Sequence, residues 1–225
     1  MDFLRQIEIF KPHIHGEKRI DLLGVGATGS YICFLLSKEG MNNIHVWDYD
    51  IVEPHNIPNQ IYFERNHIGM KKVEALKSII KDATDTKIIC HDQKVTKDKI
   101  DLGSIIFLLT DTMSSRTEIF NSNLKNNPSI SCVIETRMGS NSGRVYTFNP
   151  NIIYEYEQWQ ETLCGDDEAE VSACGGSISI ASTASLIASI ACWQMKKVLN
   201  RNPFENEVII NTNPWFILSR NFKPR

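Results

Sequence analysis

The chain has 225 residues, 42% of them apolar and 23% charged, which suits one generous domain able to bury most of its apolar surface. Lys and Arg number 24 against 27 Asp and Glu, a net charge of −3, and the only basic cluster is Arg220, Lys223 and Arg225, so no nucleic-acid face is expected. Six cysteines (33, 90, 132, 164, 174 and 192) include no Cys-x-x-Cys pair, which argues for reduced thiols in the cytoplasm and against thiolate zinc.

Met1-Asp2-Phe3-Leu4-Arg5 lacks the long apolar core of a secretory leader, and residues 1–18 show no clear periodicity. Residues 20–23 read as a buried strand, followed by Gly24-Val25-Gly26-Ala27-Thr28-Gly29-Ser30 and a helix over 28–38 closed by Gly40. A second buried strand covers 44–47 and ends at Asp48-Tyr49-Asp50. A polar, proline-containing loop occupies 51–67. Gly69 is then expected to open a helix with Val73, Leu76, Ile79 and Ile80 on one face. Strands are expected at 87–90 and 105–109, the second ended by Thr110-Asp111, with Ser114 or Ser115 capping a helix through Leu124. Residues 130–134 form another strand. Regular alternation of strand and helix predicts an α/β, Rossmann-like fold with a mostly parallel sheet flanked by helices.

Beyond Glu135 the character changes. Residues 143–148 read as an antiparallel strand, and 150–173 are aromatic, then acidic (Asp166, Asp167, Glu168, Glu170), then loop-like. A long helix over 177–199 and a last strand over 207–210 follow. The apolar stretch 178–195 contains serines, Thr183 and Gln194, which mark a buried small-residue helix and exclude a membrane partner. Residues 1–225 therefore read as a single domain. Its nucleotide-binding half covers about 19–135, and its elaborated half, with antiparallel additions, about 136–225.

The glycine loop lets a strand turn sharply into a helix whose first N–H groups stay bare for a phosphate. Asp48 follows a little over twenty residues on, where a ribose hydroxyl needs an acceptor. Asn56, Lys72 and Asp111 recur at or beyond the carboxyl ends of the expected strands, one face of a parallel sheet. A nicotinamide site needs the glycines and one acid but leaves Lys72 and Asp111 without work. A site for ATP and magnesium uses both, a cation for the phosphates and a carboxylate for the metal. Simpler readings stand beside these: Asp48 capping its turn, Lys72 an exposed helix lysine like Lys71, Asp111 an N-cap. The six histidines form neither a triad nor a metal spacing.

These residues resemble the ThiF and MoeB family, whose fold is shared with ubiquitin-activating enzymes. The matching pieces are the glycine loop, Asp48-Tyr49-Asp50-Ile51-Val52, Asn56 to Gln60, Ile68-Gly69-Met70-Lys71-Lys72-Val73, and Thr110-Asp111 with Arg116. His55-Asn56-Ile57-Pro58-Asn59-Gln60 and Ser172-Ala173-Cys174-Gly175-Gly176 look like a phage- and plasmid-associated branch. The resemblance implies ATP-dependent adenylation of the C-terminal glycine of a ubiquitin-like or sulfur-carrier protein by a homodimer. It implies that Gly24, Gly26, Thr28 and Gly29 cradle the nucleotide, with Asp48 on the ribose. Asp50, Asn56 and Gln60 would line the same site, Lys72 would neutralise phosphate charge, and Asp111 would hold Mg2+. Arg5 resembles an arginine that relatives donate across the dimer interface, and Cys174 a cysteine that accepts the acyl group in some of them. A thiol before a helix N-terminus has its thiolate stabilised, whereas acidic neighbours disfavour that of Cys164.

Two departures stand out. Asn59 occupies the place of a phosphate-contacting arginine, whose loss slows such chemistry ~10²-fold unless it is replaced. The zinc cysteines are missing, so no zinc is expected. Two rival readings therefore stay open: a nicotinamide-dependent oxidoreductase, and a non-catalytic module that binds ATP and a ubiquitin-like protein.

Overall fold

The computed structural model describes residues 1–165 and 179–224. Its strands form one eight-stranded sheet in the order β3-β2-β1-β4-β5-β6-β7-β8. The parallel part comprises β1 (Ile20–Leu23), β2 (Ile44–Trp47), β3 (Ile89–His91), β4 (Ile105–Leu108) and β5 (Cys132–Met138). The antiparallel extension is β6 (Ser142–Phe148), β7 (Glu207–Thr212) and β8 (Trp215–Arg220). The strand order reverses between β1 and β4, which end level with Leu23 opposite Leu108. A doubly wound sheet opens its ligand crevice at that point.

Both β1 and β4 are buried at every position, which is why they are short runs without polar alternation. Their side chains still divide between two cores. Ile20, Leu22, Ile105 and Phe107 pack with residues of α2 (Ala27–Lys38), α4 (Lys72–Ala83) and α7 (Ala181–Leu199). Leu23, Ile106 and Leu108 pack with Ile119 of α5 (Met113–Ile119) and with Tyr156 and Trp159 of α6 (Ile153–Gln160). The exception is Asp21, fully buried in β1. It accepts from Arg19, from Trp47 Nε1 at 2.8 Å and from the Gly103 N–H at 2.8 Å, so the charge is both paired and hydrogen-bonded.

Strands β1 and β2 have the bounds read from sequence. Other elements differ for local reasons. The helix expected from Gly69 begins at Lys72, because residues 69–71 pair with 51–52: the Gly69 N–H donates to the Val52 carbonyl, and Ile51 bridges Lys71. The helix expected to reach Leu124 is α-helical only to Ile119, followed by one wider π-type turn over Phe120–Leu124. Its cap is Thr112, whose hydroxyl accepts the Ser115 N–H at 3.2 Å, in place of Ser114, Ser115 or Asp111. Helix α6 lies in the aromatic segment for which the sequence suggested no element, with Tyr156 and Trp159 three residues apart on its buried side. Strand β5 runs on to Met138, and β7 continues to Thr212 and turns into β8. Two short helices, α1 (Pro12–His15) and α3 (Glu64–His67), and a 3-10 turn, Pro54–Asn56, complete the described elements. Among the described residues no helix is long and apolar enough to cross a membrane.

Candidate functional site

The glycine loop leaves the end of β1 and enters α2. Gly24 has φ +108°, and a Cβ there would lie 2.9 Å from the Leu109 carbonyl oxygen. At Gly29 a Cβ would come within 2.2 Å of the Gly24 carbonyl oxygen, so the first helical turn sits directly on the loop. Gly26 is different: among the described residues a Cβ there would meet nothing within 4 Å. Gly26 is also the N-cap of α2 and supplies no capping side chain. A twelve-residue helix thus begins without a side-chain cap on its first amides, a form that suits an anion.

Asp48 joins this loop to the end of β2. One carboxylate oxygen accepts the Val25 N–H at 2.9 Å and the other the Asp50 N–H at 2.9 Å. Next to it, Lys72 reaches the Asp50 carboxylate at 2.9 Å, and its own N–H donates to the Asp50 carbonyl at 2.9 Å. The Lys72 side chain is only 9% exposed, against 44% for Lys71, which turns out to Asp92 and the Tyr49 carbonyl. The two adjacent lysines therefore have different surroundings, and the simple exposed-lysine reading describes only Lys71.

The loop after β2 is pinned against the glycine loop. Asn56 is buried, and its Oδ1 accepts the Glu53 N–H at 2.9 Å in a short 3-10 turn. Asn59 donates Nδ2 to the Ser179 hydroxyl, just ahead of α7. Among the described residues, the Asn59 Oδ1 and Gln60 Oε1 atoms are buried without hydrogen-bond partners. Tyr62, which the sequence reading passed over, donates its hydroxyl to the Val25 carbonyl at 2.7 Å, and burial pushes its pKa well up. A tyrosine inside a polar loop was the available signal.

Asp111 follows β4 and is exposed, with the helix cap taken by Thr112. Behind it lies a buried cluster that sequence reading missed apart from Arg116. Arg116 pairs with Glu135 at 3.2 Å and donates to the Thr136 carbonyl at 3.0 Å. Burial lowers its pKa, with Glu135 and Asp111 acting in the opposite direction. Arg137 pairs with the same carboxylate at 2.9 Å, and Trp159 Nε1 donates to it at 3.1 Å. The Thr28 hydroxyl meets that of Thr136 at 3.0 Å, so the first turn of α2 rests on β5 through this pair.

Arg5 is not brought to this site. Gln6 donates to the Glu39 carbonyl, and Asn200 to the Ile9 carbonyl, which places the N-terminal segment at the far end of α2. Twelve residues of helix separate it from the glycine loop, about 18 Å. Cys174 lies outside the described residues. Cys33, Cys132 and Cys192 are buried and Cys164 is exposed; burial pushes the Cys90 thiol to about 11. Among the described residues no group of three His, Cys, Asp or Glu side chains could hold a metal.

A doubly wound sheet with a glycine turn, an uncapped helix and an acid at the end of β2 defines a nucleotide-binding class of fold. Within that class the chain belongs to the ThiF family, whose model matches residues 15–224. It is 33% identical over 81 residues to ubiquitin-like modifier-activating enzyme 5 of Caenorhabditis elegans, covering 36% of this chain and 19% of that protein. The match thus spans about a fifth of that relative's length. Among solved structures, PaaA superimposes with a TM-score of 0.74 at 18% identity, over 95% of this chain and 67% of that one. MccB of E. coli with ATP gives 0.70 at 13% identity, over 94% and 65%. At these identities the likeness is one of fold.

Proposed function

We propose that this protein is a nucleotidyltransferase that adenylates a carboxylate with ATP, releasing pyrophosphate. The carboxylate is the C-terminal glycine of a ubiquitin-like or sulfur-carrier protein, and the enzyme works as a cytoplasmic homodimer. The observation that carries this reading is the open space over Gly26 at the bare N-terminus of α2, flanked by Asp48 and the buried Lys72. Membership of the ThiF family, the partial match to a ubiquitin-like modifier-activating enzyme and the fold shared with an ATP-bound MccB support it.

In this reaction a carboxylate oxygen bonds to the α-phosphorus while the bond to the pyrophosphate oxygen breaks. The work of the chain is to hold two anions together and stabilise the charge that builds. Gly24, Gly26 and Gly29 keep the cradle clear, Asp48 accepts from the ribose, and Lys72 faces phosphate charge. Asp50, Asn56 and Gln60 shape the adjoining loop. Asp111, an exposed hard oxygen donor, would hold a magnesium ion. When bound, it neutralises phosphate charge. Arg5, at the far end of its own α2, can serve only the site of a second copy. The nucleotide half is about 19–135.

A second reading rests on Asn59, whose neutral amide is engaged by Ser179 where a basic side chain would contact phosphate. A module that binds ATP and a partner without turnover fits that feature. ATP–pyrophosphate exchange with magnesium separates the two, run with the protein alone and with candidate ubiquitin-like proteins. Exchange that needs the partner's terminal glycine and falls at least ~10²-fold in Asp111→Ala is the expected result. Tight ATP binding without exchange in the presence of a verified partner would leave only the binding module.

A further inference from the structure

The cradle is short of positive charge on its surface. Lys72 is already paired with Asp50, Asn59 is neutral, and Asp48 and Asp111 are both acids. The buried cluster beneath it has the opposite imbalance. Two guanidiniums, Arg116 and Arg137, share one carboxylate, Glu135, and none of the three side chains is more than 12% exposed. Among the described residues their other hydrogen-bond partners are neutral: the Thr136 carbonyl and the Met113 sulfur for Arg116, and the Thr162 carbonyl and hydroxyl for Arg137. One arginine would satisfy Glu135. A second buried cation adds repulsion and desolvation that only another anion offsets.

The cluster is wired to the cradle. Thr136 takes the Arg116 bond on its carbonyl and touches Thr28, in the first turn of α2, with its hydroxyl. Among the described residues, the groups besides Glu135 that favour the charged form of Arg116 are Asp111 and Cys164, both exposed and screened by water. We propose that the Arg116–Glu135–Arg137 cluster carries one surplus buried positive charge that serves as an internal counter-charge for the polyphosphate at the N-terminus of α2. It supplies from beneath the charge that Asn59 does not supply from above. This rests on the nucleotide reading of the site. A unit charge about 10 Å away through protein changes anion affinity by roughly tenfold.

The test measures three probes by calorimetry: ATP–magnesium, inorganic tripolyphosphate and adenosine. Arg137→Gln removes the surplus charge and is expected to weaken ATP and tripolyphosphate by roughly tenfold while leaving adenosine unchanged. Arg137→Lys retains the charge and is expected to stay within about twofold of the parent. Glu135→Gln raises the buried charge and is expected to tighten both anions, an opposite sign that a purely structural role would not produce. Equal losses for adenosine and tripolyphosphate in Arg137→Gln, or weaker anion binding in Glu135→Gln, would overturn the counter-charge. Should Arg137→Gln not fold, the sign of the Glu135→Gln effect decides, with Arg137→Lys as its charge-retaining control. A wild-type protein that binds none of the probes would overturn the nucleotide site itself, a result distinct from normal binding that ignores the buried charge.

Discussion

Gly26 and Gly29 are three residues apart in one loop and predict opposite phenotypes. A methyl group at Gly29 would lie 2.2 Å from the Gly24 carbonyl oxygen, a backbone atom held by the turn, so Gly29→Ala must displace the loop from α2. Overpacking against unyielding atoms costs about 3 kcal/mol, or roughly 6–12 °C in Tm for a chain of this size. Among the described residues a methyl group at Gly26 would meet nothing, and the change costs only the difference between Gly and Ala as an N-cap, about 1 kcal/mol and 2–4 °C. That methyl group would nevertheless occupy the space in front of the bare amides. On the proposed nucleotide reading, ATP at 100 times Kd would stabilise the parent protein by about 2.7 kcal/mol. A tenfold loss of affinity in Gly26→Ala would leave about 1.4 kcal/mol at the same concentration. Thermal melts with and without ATP–magnesium read both numbers. If Gly26→Ala kept the full ATP shift, the cradle would be misplaced, and if Gly29→Ala melted with the parent, the packing argument would be wrong.

Lys72→Met keeps most of the buried stem and removes the charge beside Asp50; exchange activity is expected to fall by ~10²-fold or more while stability changes by less than about 1 kcal/mol, since Asp50 is half exposed. Equal activity in steady-state assays would return Lys72 to a structural role. His67 predicts a pH dependence. Its Nδ1 accepts the Phe63 N–H at 2.9 Å, so the ring is neutral and its Nε2 faces the Ser78 hydroxyl, and burial lowers its pKa from the ordinary 6.5. The unfolded chain then takes up the proton first. The stabilisation is fully present above about pH 6.5 and is lost as pH falls from there through the lower folded value. Urea unfolding between pH 5 and 7.5 should show a smaller loss in His67→Gln than in the parent, and parallel curves would exclude the bond as the cause.

How much was legible in the sequence follows from how each residue is held. Strands β1 and β2 could be bounded to the residue because a parallel strand buried on both faces is a short run of mostly apolar residues, broken here only by Asp21 and His45. The glycine loop and Asp48 were legible because their relation is local: a strand, a turn, a helix and the next strand, closed by the Asp48–Val25 bond. Strand β8 was missed because all six of its residues are exposed, which leaves no alternation to read. Helix α6 was missed because its aromatic side chains face a core built by other elements.

The sequence by itself determined the class of fold, the glycine turn and the order of polar groups along the strand ends, since periodicity and short spacings carry that information. Tertiary structure alone decided which of two adjacent lysines is buried against Asp50, and that Thr28 rests on Thr136 from 108 residues away. It also decided that Glu135 holds both Arg116 and Arg137, and that Asn59 reaches Ser179 across 120 residues. Those pairings join segments that meet only when the sheet closes, and no local pattern encodes which distant carbonyl, hydroxyl or carboxylate a polar side chain will find there.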